Sequence, residues 1–397
     1  MPTSAEVWIT GLGAHTAAGV GAAALRAALT QRTPPASADS ILGGQWVARA
    51  PDPMVDRATG RLDRSGQFFV VAAREAWQHA DLARATLDPD RIAVIEGSSL
   101  GPMSDLLAIE RERVRDGFPA KVSPRHLVRM MFGAGGAQFA QEIGAHGAVF
   151  ALSAGSTSGA MAIAEGWAKI CSGLAEVVIA GGADAPLDPE IIAAFRTAGI
   201  LAPPSGDAPC RPFDVSRCGT MLGEGAGVVV LEAAAHARRR GAVPLAILEG
   251  TGVSGEDGSM TAPDALGGGI RRATRSALVD TDPRRIGWIK AHGTGTRLND
   301  AAECCGLDGD LVDVPASSLK PLLGHCLGAS GAVELIAAVL AMGDGVIPMT
   351  LTTTQVDPAL GSRRIVLEPE ALLRPAALLL SQSLGGRSAA LVIGRAA

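Results

Sequence analysis

The sequence predicts a layered α/β protein whose sheets are buried on both faces. Three observations carry this: short β-branched runs bounded by glycine, Ala-rich stretches of helical length between them, and an apolar fraction of 47% with 50 glycines in 397 residues. Strands exposed on one face would alternate apolar and polar residues instead.

The elements follow in chain order. Val7-Trp8-Ile9-Thr10-Gly11-Leu12-Gly13 reads as a buried strand entering a tight turn. It is not a dinucleotide fingerprint, because the third glycine of G-x-G-x-x-G would fall at Thr16. Similar strands are predicted at Arg91 to Ile95, Glu176 to Ala180, Ala226 to Leu231, Ile286 to Ala291 and Ala389 to Ile393. Helices are predicted over Thr157 to Cys171 and Gly331 to Ala341. Thr33 to Met54 and Pro203 to Pro212 read as irregular surface excursions, since apolar patterning resumes directly after each. No short-period repeat is present, but strands meeting glycine near 11 and 249 leave room for a duplicated unit.

Composition narrows the function. A net charge of −5, 3% aromatic residues and no Tyr give neither an electrostatic footprint nor a stacking surface for nucleic acid. The N-terminal stretch Met1 to Ile9 lacks the basic-then-apolar pattern of a secretory signal. No run reaches the uninterrupted apolar length of a membrane span, so a cytoplasmic protein without a membrane partner is expected. The six cysteines, at 171, 210, 218, 304, 305 and 326, match neither a zinc knuckle nor a disulfide framework. They read as reduced, small apolar residues, with Cys326 set apart only by its neighbouring histidine.

Two blocks carry chemistry. Lys290-Ala291-His292-Gly293-Thr294-Gly295-Thr296 ends an apolar strand in a glycine-rich turn, followed by Asp300 and Glu303. Lys320-Pro321-Leu322-Leu323-Gly324-His325-Cys326-Leu327-Gly328-Ala329-Ser330-Gly331 precedes Glu334. A lone histidine at such a place is more often a packed or capping residue than a catalytic one; the two blocks together are more specific.

These blocks resemble the HGTxT and K-x(4)-GH-x-x-G-A-x-G segments of β-ketoacyl synthases. Arg211-Pro212-Phe213-Asp214, Arg217, Gly223-Glu224-Gly225-Ala226-Gly227 and Ala180-Gly181-Gly182 match further segments of that family. The resemblance runs from Ile9 to Gly386, nearly the whole chain. It implies the thiolase-type fold: two similar halves in αβαβα layers, residues 1–245 carrying the nucleophile position and residues 246–397 carrying His292, Lys320 and His325.

Carried over position by position, the resemblance makes His292 and His325 the pair that holds a malonyl thioester carbonyl, with Lys320 and Glu334 orienting His325. Thr294 and Thr296 would bond the phosphopantetheine arm. Counting back from Ala180-Gly181-Gly182 places the nucleophile at Ser156, within Ser153-Ala154-Gly155-Ser156-Thr157-Ser158-Gly159, where the family has cysteine. Read without the family, a serine at the start of a helix is most often an N-cap; within these motifs, nucleophile and cap stand as equal readings.

Serine has no accessible anion at neutral pH and needs a general base, His292 or His325. It also suits acyl transfer or hydrolysis better than Claisen condensation. Ser381-Gln382-Ser383-Leu384-Gly385-Gly386-Arg387-Ser388 resembles the family's N-S-F-G-F-G-G-T-N stretch. Leu384 falls on the gating phenylalanine, whose backbone N–H forms the oxyanion hole with that of Ser156. Asp214 and Glu224 read as loop-holding charges. Arg57, Arg61 and Arg64, at i, i+4 and i+7, would form one basic helix face for docking an acyl carrier protein, or else a solvated face.

No bound cofactor is expected, the substrates riding on the carrier's phosphopantetheine. A homodimer, or a heterodimer with another ketosynthase, is the expected assembly. Three functions stay open from sequence: an acyltransferase using Ser156, a non-catalytic partner subunit of the chain-length-factor kind, and a Cys-to-Ser variant of an ordinary decarboxylative condensing enzyme.

Overall fold

The computed structural model describes residues 6–117, 124–204, 209–307 and 309–396. Residues 1–5 of the N-terminal expectation and residues 205–208 of the 203–212 expectation lie outside them.

Ten strands form the framework. The first five are β1 (Val7–Thr16), β2 (Ile92–Gly97), β3 (Val149–Leu152), β4 (Val177–Asp184) and β5 (Gly225–Ala233). The second five are β6 (Ala246–Gly255), β7 (Ile286–Lys290), β8 (Ala316–Ser317), β9 (Ala376–Ser383) and β10 (Arg387–Gly394). Their orders, β3-β2-β4-β5-β1 and β8-β7-β9-β10-β6, are the same permutation. The directions agree as well. In each five the first two neighbour pairs are parallel and the last two antiparallel. The chain is therefore an internal duplication, and its halves meet edge to edge where Val7, Trp8 and Ile9 pair with Leu248, Ile247 and Ala246.

The duplication reaches down to single glycines. Register shifts fall between Ile9 and Gly11 in β1 and between Leu248 and Gly250 in β6. Helix α1 (Arg64–His79) lies so close on β1 that a Cβ at Gly13 would stand 1.8 Å from the Ala72 carbonyl oxygen. A helix further on, α3 (Gly268–Ala277), repeats this on β6, where a Cβ at Gly252 would stand 2.0 Å from the Ala273 oxygen. These glycines thus do not turn the chain, as the sequence suggested; β1 runs straight through them to Thr16, and they admit a helix backbone.

The predicted central helices, α2 (Ser158–Cys171) and α5 (Ser330–Asp344), touch each other and pack against both five-strand halves of this sheet. Their small residues, including Ala160, Ala164, Ala332 and Ala337, form the main core with the inner sheet faces. Phe68, Phe69 and Phe139 cover the outer face of the first half, and Ile270, Ala273 and Ala277 that of the second, giving αβαβα layers. Leu327–Asp344 is long and apolar enough to cross a membrane, contrary to the sequence reading, but 83% of it is buried in this core.

Two further expectations change. Within 33–54, Ser37–Asp39 and Gln45–Ala48 are strands, and Val47 and Ala48 pair with Leu222 and Gly223, so this stretch braces the Gly-rich turn rather than wandering over the surface. The basic helix face does not form. Arg57 lies in a turn, Arg61 ends a short 3-10 turn, and Asp63 caps the helix that begins at Arg64. Arg64 is half-buried and bonded to Glu224, Asp52 and the Ala50 carbonyl, so its charge is spent internally.

Candidate active site

The parallel strands deliver the site. Ser156 follows β3 and enters α2; His325 follows β8 and precedes α5. Since these are the third strand and central helix of each repeat, the duplication brings Ser156 and His325 face to face. His292 follows β7, before helix α4 (Arg297–Gly306).

The Ser156 hydroxyl lies 2.9 Å from His325 Nε2. It does not cap α2, whose N-cap position is Thr157. His325 Nδ1 lies 2.9 Å from Ser330 Oγ, in the first turn of α5. With the proton on Nδ1 shared with Ser330, Nε2 is free to accept the Ser156 proton. Ser330, not Lys320 or Glu334, therefore makes the hydrogen bond that orients this imidazole. The His292 ring stands edge-on to His325 at 5.3 Å, and its buried Nδ1 has no partner among the described residues.

Lys320 and Glu334 act from one remove. Lys320 Nζ bonds Glu334 Oε1 at 2.6 Å, and Lys290 Nζ bonds the other carboxylate oxygen and the Leu380 carbonyl. All three residues are essentially inaccessible to solvent. Two ammonium groups against one carboxylate leave a net positive charge beside the imidazoles. Burial first, and then the charge of Lys320, hold both histidines well below their ordinary range. Both are neutral at physiological pH, as acceptance of a proton requires.

Glu303 accepts the His292 and Gly293 backbone N–H groups at 2.5 and 2.7 Å, and Asp300 accepts those of Phe213, Thr294 and Gly295. These buried carboxylates shape the loop that presents His292; burial pushes Glu303 up to about 7 and Asp300 up to about 6. Asp214 likewise holds the Ser216, Thr354 and Gln355 amides, and Glu224 pairs with Arg64, both as loop-holding charges. Cys326 is buried, and that burial pushes its thiol far up, so it is no rival nucleophile.

A cavity of about 570 Å³ opens onto Ser156, His292 and His325. Leu100, Phe195, Ile200 and Leu327 give it apolar wall, while Thr294, Thr296 and Leu384 also line it. The two threonine hydroxyls are 2.9 Å apart. Site and sequence thus agree on Ser156, His292, His325, Thr294, Thr296 and Leu384 as neighbours of one cavity. Sequence reasoning gave no role to Lys290, Ser330 or Ser383, although each stands inside a quoted motif.

The chain as a whole has known relatives. Residues 4–237 match the family model for the β-ketoacyl synthase N-terminal domain, and residues 245–354 that for its C-terminal domain. The chain belongs to the β-ketoacyl synthase family. It is 32% identical to a 3-oxoacyl-[acyl-carrier-protein] synthase 2 of Staphylococcus aureus over 339 residues, 84% of each chain. Among solved structures, a β-ketoacyl synthase from Burkholderia phymatum superposes with a TM-score of 0.91 at 29% identity, covering 98% of this chain and 99% of that one. The ishigamide ketosynthase/chain length factor superposes with the same TM-score and identity, covering 99% of this chain and all of the other.

Proposed function

We propose that this chain is a β-ketoacyl synthase-type acyltransferase of fatty-acid or polyketide assembly that draws acyl groups from carrier-protein thioesters onto Ser156. The observation carrying this is the 2.9 Å contact between Ser156 Oγ and His325 Nε2. A serine kept only for packing would not face an imidazole whose other nitrogen is held by Ser330.

In the reaction, Ser156 Oγ attacks the thioester carbonyl while its proton passes to His325 Nε2. The tetrahedral intermediate collapses, the carbon–sulfur bond breaks, and His325 returns the proton to the departing pantetheine thiolate. An oxoester remains on Ser156. His292, which lines the same cavity, would meet a second carbonyl there, as the resemblance to the family's paired histidines implies. Thr294 and Thr296 would hold the arm at the cavity wall.

The relatives' names include acyl-carrier-protein synthases and ketosynthase pairs, and we extend both kinds of partner to this chain. Arg57 and Arg61, both exposed, remain for the carrier once Arg64 is withdrawn. The edge strand β3 exposes Val149 and Phe150, with Met130, Met131 and Phe132 exposed shortly before it in the chain, which suits pairing with a second ketosynthase chain. The opposite edge, β8, is covered by a bridge from Ala316 to Ile365. We divide the repeats at 245/246, where β6 opens the second half, and place the protein in the cytoplasm, in keeping with six free cysteines.

A second reading, the non-catalytic partner subunit, is favoured by one observation: the Ser156 backbone N–H is already donated to Ser383 Oγ. The test is pantetheine-thiol release from an acyl carrier thioester. The proposal expects release that Ser156→Ala abolishes; release equal in both proteins, or none alongside copurification with a cysteine-bearing ketosynthase, would overturn it.

A further inference from the structure

The Ser156 N–H is the group an oxyanion on the acylated carbon would need. It is not free: it donates to Ser383 Oγ at 3.0 Å. Ser383 closes β9 at the cavity, directly before Leu384. In the family stretch the residue before the gating aromatic is glycine, which has no side chain to offer. The serine hydroxyl is accommodated by the opposing chain: a Cβ at Gly155 would stand 2.0 Å from Ser383 Oγ, and Gly155 has φ +61, the left-handed region. Serine at 383 and glycine at 155 thus form one fitted contact next to the nucleophile.

We propose that the Ser383 hydroxyl is a built-in occupant of the oxyanion site, a positioning residue that must leave the Ser156 N–H before acyl transfer can proceed. This rests on the acyltransferase reading above. The thioester carbonyl needs that one donor only as it becomes an oxyanion, and must then take it over from Ser383 Oγ. The tetrahedral oxyanion, a stronger acceptor than a hydroxyl, wins the exchange, but only after the serine side chain rotates away. The barrier to acylation then includes the loss of one neutral hydrogen bond. Its removal should speed acylation about three- to tenfold. Because the contact concerns the transition state, the gain should appear in the acylation rate constant and leave KM nearly unchanged.

The test compares the full chain with Ser383→Ala and Ser383→Gly, using an acyl carrier protein loaded with a short saturated acyl thioester. Single-turnover acylation of Ser156 is followed by intact-mass spectrometry, with thermal melts to verify folding. Faster acylation at constant KM in either variant supports the proposal, as does acylation of the variants where the parent shows none. If the parent acylates and folded variants are no faster, Ser383 is not an occupant that must leave, and the acyltransferase reading stands alone. If none of the three proteins acylates, both fall. Should both variants fail to fold, the parent decides: Ser383 Oγ still within hydrogen-bond distance of the Ser156 nitrogen in a structure of the acylated protein overturns the proposal, and its displacement supports it.

Discussion

Ser156 Oγ and His325 Nε2 face each other at 2.9 Å, each on the segment that joins the third strand to the central helix of its repeat, with Ser330 holding the far side of the imidazole at the same distance. If this relay activates the serine, His325→Ala should lower single-turnover acylation by about 10²- to 10⁴-fold. Ser330→Ala, which frees the ring and its tautomer, should cost about tenfold or more, and Ser330→Thr should restore most of it. Equal rates for Ser330→Ala and the parent would remove Ser330 from the mechanism.

The pH profile follows from the same charges. Burial and the Lys320 ammonium lower the His325 pKa, so the imidazole stays neutral and basic as pH falls through the ordinary histidine range of about 6.5. The acidic limb of the acylation rate should therefore lie below that value. Lys320→Gln removes a positive charge and should move the limb upward, toward higher pH. Stopped-flow thiol release across pH checks both; a parent limb above about 6.5, or a downward shift in the variant, contradicts the electrostatic account.

Serine limits what the site can do next. Ser156→Cys restores a nucleophile that forms a thiolate far more readily and yields a thioester open to carbon attack, while His292 and His325 remain in place. With malonyl and acyl carrier proteins supplied, this variant should form β-ketoacyl product at a rate on the order of a hundredfold above the parent. Mass detection of the condensed product measures it. Equal condensation by the parent would show that serine is no handicap.

Glu334 is the carboxylate that two buried lysines, Lys290 and Lys320, share. Glu334→Ala takes that shared partner from both ammonium groups, which should destabilise the fold by about 3–5 kcal/mol, read as a lower denaturation midpoint at unchanged denaturant slope. A variant as stable as the parent would mean that water or a rearranged group satisfies the lysines.

Much of this is legible in the residues. Helical spacing after Ser156 and around Gly331 gives both central helices to within a few residues. The strands β3, β8 and β9 are not among those the sequence predicts. β8 has only two residues, too few to carry a pattern, and Ala376–Ser383 is a leucine-rich run whose strand state is fixed by pairing with β10. The basic face at 57–64 fails because periodicity counts positions but does not see Asp63 capping the helix there. Ser330 and Ser383 are invisible for a different reason. Each acquires its meaning from the partner the fold brings to it, which no local pattern reports: Ser383 meets Ser156 across 227 positions of sequence.

The most direct test of the central claim is intact-mass spectrometry of the chain after incubation with an acyl carrier thioester, followed by peptide mapping. The account predicts one acyl group added as an oxoester at Ser156, absent from Ser156→Ala and strongly reduced in His325→Ala. An adduct at another residue, or no adduct under conditions where a cysteine-bearing relative is acylated, would contradict it.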